Sequence, residues 1–264
     1  MLFSDRPRTH YGNAPAHEVI CQLRFPTILT INNVEPADFQ EAIRDVFPQY
    51  ARRQDVPAPK ITGAGGPNMQ VERQAPITNY HFLSADGRWK LNLTKDFIAL
   101  STLGYSGWED FAHHLDKALA AFIQIYKPAY FQRVGLRYVN LFSRARLGLE
   151  DVSWAELFAP AYAGALAEPD LREEDCLALG TDLQLKLDNS CRAKIHAGLA
   201  RIQNKAPNAP QDNELKFVLD MDLSMGGNVP CTMAAGALET LHIHGGRIFE
   251  GAVTDRLRQA MEPR

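Results

Sequence analysis

The chain has 264 residues, of which 45% are hydrophobic and 22% charged, and it carries a net charge of −3 at pH 7. This is the balance of a globular protein, without the basic excess that dedicated nucleic-acid-binding proteins use to neutralise phosphates. No apolar run approaches the roughly 20 residues that span a bilayer, and charged residues stand where a signal peptide is apolar. We therefore expect a cytoplasmic protein that binds neither nucleic acid nor membranes.

The first predicted elements are a strand and a helix. Residues 35–50 have Pro36 near their start and apolar residues at helical spacing, which predicts a helix. Residues 57–68 are rich in glycine and proline, which indicates a loop. Residues 17–25 alternate apolar and polar side chains and predict a strand, with an inward face of Val19, Cys21, Leu23 and Phe25.

A meander and a long helix follow. Asp86-Gly87 is typical of a hairpin turn, and alternating residues on both sides of it predict the paired strands. Ser106 and Glu109 fit a capping box, which places the start of an amphipathic helix that ends before Pro128. The strands of this meander are predicted at residues 80–84, 89–93 and 97–102.

The second half presents the same kinds of element in the same order. Its strands alternate as strictly as those of the first half, and an Asp188-Asn189 turn joins two of them into a hairpin. A loop is expected at residues 205–213. The other predictions are a strand at 132–142, a short helix at 153–158, a hairpin of 176–187 with 191–200, a strand at 215–223, and a long helix from about Ala234 to Met261.

Each half therefore consists of a strand, a helix, a meander and a long helix, which predicts an internal duplication. The opening strands also share a local string, since Leu23-Arg24-Phe25 corresponds to Leu136-Arg137-Tyr138. We expect an α+β fold of two duplicated halves, with antiparallel sheets packed on long amphipathic helices. Residues 17–126 are expected to superpose on residues 132–261.

The predicted organisation is an N-terminal segment of residues 1–16 and two repeats. The first α+β repeat covers residues 17–130, and the second covers residues 131–264. A single continuous domain is the alternative.

The stretch "LHIHGGRIFEG", residues 241–251, is the strongest candidate for a metal or anion site. Successive residues of a helix turn by about 100°, so His242 and His244 cannot reach one metal ion from a helix. We expect His242 at the edge of the buried face, His244 directed away from it, and no bound metal. Gly245 lies in the middle of that face, where a missing side chain lets the helix approach the sheet closely.

Arginines on the sheet are the candidates for ligand or partner binding. Arg133 and Arg137 project from one face of their strand, and Arg24 occupies the matching place in the first half. Each of them either forms an ion pair with a neighbouring strand or binds an anion through its planar guanidinium group. Asn140, on the same strand, completes the candidate set.

Two acids on another strand offer a weaker signal. Asp220 and Asp222 flank Met221 and share one face, so they resemble the DxD pair that holds a divalent cation. The favoured interpretation is that both carboxylates simply face water.

No pattern nominates a catalytic residue or a cofactor. The sequence has no P-loop, no GxGxxG, no HExxH and no ordered Ser-His-Asp set. The cysteines form no CxxC and are expected to be reduced thiols; they are Cys21, Cys176, Cys191 and Cys231.

Three strings carry a resemblance over nearly the whole chain: "FIALSTLGYSGWEDF", "RVGLRYVN" and "RIFEGAVTDRL". With them the sequence resembles a sporadically distributed, functionally uncharacterised bacterial protein family. The patchy distribution of that family implies an accessory gene, such as a component of a defence or toxin–antitoxin module.

Two classes of function remain open. The favoured one is a non-catalytic binding or regulatory protein whose partner is another protein encoded nearby, with a homodimer also possible. The alternative is an enzyme that acts on an anionic or phosphorylated small molecule. It would use Arg24, Arg137, Asp220 and Asp222.

Overall fold

The computed structural model describes residues 2–62, 70–188, 190–201 and 212–264, and eleven strands lie within these ranges. Most of the strands are short, and several alternate buried with exposed side chains. The strands are β1 (Ala16–Arg24), β2 (Gln49–Asp55), β3 (Lys60–Thr62), β4 (Gln70–Glu72), β5 (Ile77–Leu83), β6 (Trp89–Leu93), β7 (Phe97–Thr102), β8 (Phe131–Phe142), β9 (Gly180–Lys186), β10 (Cys191–Ala200) and β11 (Lys216–Val229).

Two helices of 19 residues accompany the strands, together with six shorter ones in the described ranges. The helices are α1 (Leu29–Asn33), α2 (Ala37–Ile43), α3 (Trp108–Tyr126), α4 (Arg144–Leu147), α5 (Trp154–Leu157), α6 (Pro160–Ala163), α7 (Ala234–Ala252) and α8 (Asp255–Ala260). Among the described residues, none of the helices is both long and apolar enough to cross a membrane.

Nine strands form one continuous antiparallel sheet in the order β2-β5-β6-β7-β1-β8-β11-β10-β9, and β3 pairs separately with β4. The first strand of each half meets the other at the centre, where Cys21 lies opposite Leu136 and Arg24 lies opposite Arg133. The protein is therefore a mixed α/β protein built on a large antiparallel sheet, and this sheet contains strands from both halves of the chain.

The two long helices pack on one face of the sheet, which we call the inner face. The ring of Phe25, next to β1, lies 4.7 Å from that of Phe122 on α3, and α7 packs on β8 and β11. Alternation of side chains along each strand supplies the apolar surface that these helices cover. Burial of each large apolar side chain here contributes about 1.5–3 kcal/mol.

The inward faces predicted for the strands are confirmed. Val19, Cys21 and Leu23 are completely buried on β1. Residues at every second position of β11 are buried as well, namely Phe217, Leu219, Met221 and Leu223. The opposite side chains of these strands form the outer face of the sheet.

The helix predicted over residues 35–50 is wrong in its second half. α2 ends at Ile43, and residues from Gln49 onward form the edge strand β2. The side chains of β2 are almost all exposed, so its sequence carries no alternation of apolar and polar residues. An edge strand of this kind is held mainly by backbone pairing, here with β5.

Two helix boundaries also differ from prediction. The residue that caps α3 is Gly107, and Ser106 donates its hydroxyl hydrogen bond to the carboxylate of Asp110 instead of capping the helix. The predicted final helix is interrupted after Ala252. Thr254 starts α8 there, because its hydroxyl accepts a hydrogen bond from the backbone N–H of Leu257.

Two predicted loops and one turn fall partly outside the described residues. Residues 63–68 of the first loop and 205–211 of the second are not described, and neither is Asn189 of the hairpin turn. The described part of the first loop contains β3, which pairs with β4.

Candidate functional site

The structure divides the predicted binding residues between the two faces of the sheet. Arg24, Arg133 and Arg137 lie on the outer face, where Arg24 is the cross-strand neighbour of Arg133. Asn140 lies on the inner face and is buried, and its amide donates to the backbone carbonyl of Leu219. The predicted set therefore contributes to two separate sites, one on each face.

Two of the three arginines form ion pairs with β11. Arg137 binds the carboxylate of Asp220 with both Nε, at 2.8 Å, and Nη2. Arg133 donates to Asp222 at 2.6 Å, and its guanidinium lies where a Cβ on Gly135 would stand. The absent side chain of Gly135 thus opens the path from Arg133 to its acid. Asp220 and Asp222 neutralise these arginines.

A groove on the outer face, which we call the basic groove, gathers more cations than acids. It has a volume of about 1040 Å³. Small residues of β11, Ser224 and Gly226, form part of its lining between larger side chains of the neighbouring strands. Its charged lining residues are Arg24, Arg133, Lys186, Arg192 and Lys194, with Asp222 the single acid in the lining.

Like charges stand directly opposite each other twice in the basic groove. Arg24 faces Arg133 across β1 and β8, and Arg192 faces Lys186 across β10 and β9. Opposite like charges destabilise a sheet by roughly 0.2–1 kcal/mol. In the described part of the chain, four of these cations have no carboxylate within ion-pair distance: Arg24, Lys186, Arg192 and Lys194.

The inner face holds a partly open pocket of about 420 Å³, which we call the α7 pocket. Five parts of the chain contribute to it: residues 8–16, the β7–α3 junction, β8 with β11, α7, and Arg264. Among its lining side chains are Arg8, Tyr105, Trp108, Tyr138, Asn140 and His242. This volume lies within the range of small-molecule sites in proteins.

His242 is the polar centre of the α7 pocket. Its Nδ1 lies 2.7 Å from the hydroxyl of Tyr138, and its ring stacks on Trp108 with 4.3 Å between centroids. Burial, together with the positive charge of Arg8, lowers the pKa of His242 to about 3. Burial also raises the pKa of Tyr138 well above its ordinary value. The pair is therefore uncharged at neutral pH.

Arg8 brings a positive charge over this neutral pair. Its Nη1 donates to the backbone carbonyl of His242 at 3.1 Å, and its guanidinium carbon lies 5.5 Å from the centre of the Tyr138 ring. Among the described residues, no carboxylate oxygen lies within 4 Å of this guanidinium. Arg8 is thus held by a carbonyl and an aromatic face and keeps its charge available.

The glycines of "HIHGGR" serve the close packing of α7. A Cβ on Gly245 would stand 3.2 Å from the ring of Tyr138, and one on Gly246 would stand 3.3 Å from Nη1 of Arg8. Gly245 therefore allows the predicted close approach of helix to sheet, and Gly246 makes room for Arg8. Both glycines shape the α7 pocket.

The prediction that His244 points away from the packed structure is wrong. His244 is buried, and its Nε2 lies 2.7 Å from the carboxylate of Asp188 in the β9–β10 turn. The two histidines of the motif turn to different partners, as their spacing on a helix requires. Within the described ranges, no three His, Cys, Asp or Glu side chains are placed to hold one metal ion.

A buried ion pair closes one end of the α7 pocket. Glu250 is buried and accepts a hydrogen bond from Arg258 at 3.0 Å and from the hydroxyl of Tyr11 at 2.8 Å. Burial, followed by the bond to Glu250, raises the pKa of Tyr11 to about 12. The negative charge of Glu250 is therefore already matched inside the protein.

Sequence reasoning identified neither the α7 pocket nor most of its side chains. Arg8 and Tyr11 precede the first predicted element, and Trp108 lies at the start of the predicted amphipathic helix. The pocket residues come from segments far apart in the chain, with Arg8 and His242 separated by 234 positions, so no local motif connects them. The run His242–Gly246 was the one local signal, and it marks the place where α7 lies against Tyr138 and Arg8.

The chain matches no protein-family model and no curated protein. The resemblance to a sporadically distributed bacterial family therefore stays a prediction.

Proposed function

We propose that the protein is a non-catalytic binding protein, and that the basic groove takes an acidic segment of a partner protein. The observation that carries this proposal is the position of Arg192 directly opposite Lys186, in a groove where Arg24, Lys186, Arg192 and Lys194 have no carboxylate within ion-pair distance among the described residues. Such like-charge pairing reduces stability in the free protein, and an acidic partner relieves the repulsion. In keeping with the bacterial resemblance, we propose a partner encoded nearby, in a defence or toxin–antitoxin module.

The spread of the cations favours an extended partner. The groove reaches from β9 to β1 across four strand spacings, which corresponds to about 19 Å. A single phosphate or carboxylate needs donors that converge on one point, whereas an acidic segment presents several carboxylates in a row. The spread therefore supports a macromolecular ligand more than a small anion.

The surrounding charge favours an acidic protein segment over nucleic acid. Further along the same strands, the outer face carries Asp182 on β9 and Asp220 on β11. These acids limit the basic area in the direction of the strands. A nucleic-acid backbone continues in both directions and would meet these acids. A short acidic segment fits within the groove.

We further propose that the two halves of the chain arose by duplication. The support is the strand order, because each half places its first strand beside its last, β1 beside β7 and β8 beside β11. A long helix follows the last strand of each half. The cytoplasmic location also stays a proposal.

The test of the groove is a binding titration with labelled peptides. A twelve-residue peptide rich in glutamate is titrated by fluorescence anisotropy, beside the same peptide with glutamine in place of glutamate. We expect binding of the acidic peptide alone, weakened about tenfold or more in the double variant Arg24→Gln/Arg192→Gln, since each lost charged contact contributes about 1.5–3 kcal/mol at most. The binding should weaken as salt rises.

A matched control keeps the charge change but moves it along the same face. The double variant Arg53→Gln/Lys90→Gln alters two cations of β2 and β6, at the other end of the sheet. It should bind the acidic peptide as the unmodified protein does. Equal losses in both double variants would show non-specific attraction and overturn the groove. Tighter binding of DNA or RNA oligonucleotides than of the peptide would assign the groove to nucleic acid.

A further inference from the structure

The α7 pocket lies on the other face of the sheet from the basic groove and has a different chemistry. We infer that it is a second binding site, and that its ligand is a small planar aromatic molecule with a carboxylate group. This inference is independent of the partner proposed for the groove, since the two sites share no lining residue.

The size and walls of the pocket indicate an aromatic ligand. Its volume of about 420 Å³ accommodates a molecule with one or two rings. Tyr105, Trp108 and Tyr138 contribute aromatic surface from the β7–α3 connection, α3 and β8, and Tyr105 meets Tyr138 edge-on at 5.9 Å. Rings of this kind bind another ring by offset or edge-to-face contact.

The charges of the pocket indicate an anionic group on that ligand. The Tyr138–His242 pair is uncharged, and the carboxylate of Glu250 is matched by Arg258. Glu109 also lines the pocket, at the start of α3, and Arg264 lines it from the end of the chain. Arg8 is the cation that lies over the ring of Tyr138, so a carboxylate bound in the pocket beside this ring reaches the guanidinium.

Asn140 provides a polar group at the bottom of the pocket. It is buried on β8, two residues from Tyr138, and its amide nitrogen is held by the carbonyl of Leu219. This bond fixes the orientation of the amide and presents its oxygen as an acceptor. A ring hydroxyl or ring N–H opposite the carboxylate is the complementary group on the ligand.

The experiment is isothermal titration calorimetry with pairs of carboxylates and their amides. The probes are benzoate, 4-hydroxybenzoate, indole-3-acetate and 1-naphthoate, each beside the corresponding neutral amide. We expect at least one carboxylate to bind with a submillimolar Kd and its amide to bind at least tenfold more weakly. Tryptophan fluorescence should change on binding, since Trp108 stacks against the pocket histidine.

Variants of the N-terminal segment test the role of Arg8. Arg8→Gln should weaken carboxylate binding about ten- to a hundredfold, and Arg8→Lys should restore part of it, since the charge returns without the planar fork. Arg6→Gln is the matched control, because Arg6 lies on the same segment and pairs with Asp255 outside the pocket. It should bind like the unmodified protein.

Three results would overturn this inference. They are no binding of any carboxylate at millimolar concentration, equal affinity for a carboxylate and its amide, and unchanged affinity in a folded Arg8→Gln protein. The comparison of carboxylate with amide uses the unmodified chain, so it tests the preference for an anionic ligand even if the Arg8→Gln variant fails to fold.

Discussion

Strand β8 carries polar side chains in two opposite environments. On the inner face, Tyr138 and Asn140 are 3% and 4% exposed, and each is held by hydrogen bonds within the protein. On the outer face, Arg133 and Arg137 keep 30% and 46% of their side-chain surface exposed. The difference shows that the same strand can support a rigid, desolvated site and an open, screened one. Substitutions on the inner face should therefore have the larger effects.

The largest effect is expected for the buried ion pair at the end of the α7 pocket. Glu250→Ala removes the buried acid of Arg258, which keeps only its contact with the exposed carboxylate of Asp255, and should lower the free energy of unfolding by about 3–5 kcal/mol. Glu156→Ala breaks an exposed pair with Arg256 and should cost at most about 1 kcal/mol. Urea unfolding of both variants measures the contrast. Similar losses of unfolding free energy in the two variants would contradict the expected difference between the buried and the exposed ion pair.

The pocket histidine should make stability depend on pH. The pKa of His242 is about 3 in the folded protein and 6.5 in the reference state, so below pH 6.5 the unfolded chain binds a proton that the folded protein does not. Stability contributed by neutral His242 is therefore present above pH 6.5 and is lost as pH falls towards 3. The slope should reach at most about 1.4 kcal/mol per pH unit.

Comparison of variants isolates this contribution. His242→Gln should flatten the dependence of the unfolding free energy on pH between 6.5 and 4, measured by urea titration at each pH. His17→Gln, a change at an exposed position of β1, should keep the slope of the unmodified protein. An unchanged slope in His242→Gln would contradict the desolvated state of this side chain.

Substitution of two glycines of α7 by alanine should change the stability in opposite directions. Gly245→Ala places a methyl group 3.2 Å from the ring of Tyr138, and the tight contact should cost about 1–3 kcal/mol. Gly236→Ala adds a methyl group where no atom lies within 4 Å, and the helix should gain up to about 1 kcal/mol. Thermal unfolding of the two variants shows whether each substitution raises or lowers the stability. Stabilisation by Gly245→Ala would contradict the close packing of the pocket.

The smallest effects are expected on the outer face, again with opposite signs. Arg137→Ala removes a partly exposed ion pair and should lower stability by less than about 1 kcal/mol. Arg192→Gln relieves the repulsion from Lys186 and should raise stability by a few tenths of a kcal/mol, up to about 1. Chemical unfolding at low and high salt measures both. If Arg192→Gln is destabilising, the repulsion that motivates the basic groove is absent.

The sequence predicted the inner face well, because strand alternation and helical spacing are local signals. The apolar sides of β1 and β11 and the end of α3 before Pro128 followed from such patterns. The edge strand β2 had no such signal, since solvent surrounds its side chains on both faces. The break at Val253 was also missed, because the apolar stripe continues through it.

The candidate sites were predicted in fragments. Arg133 and Arg137 were expected on one face of their strand, since residues at even spacing on a strand share a face, and the pairing register places Arg24 opposite Arg133. Lys186 and Arg192 were not added to them, because only the pairing register brings β9 and β10 to the same groove. The α7 pocket depends on Arg8, and no pattern indicates which distant helix an irregular N-terminal segment will contact.

That segment has a consequence for the order of events during synthesis. Residues near the N-terminus dock on α7, where Ser4 binds the carbonyl of Arg247 and a side chain on Gly251 would collide with the backbone of Leu2 and Phe3. They leave the ribosome roughly 240 residues before their docking surface exists. Closing so long a loop is a late step in folding. Nascent chains truncated before residue 234 should therefore expose this segment to proteases, and release of the full chain should protect it.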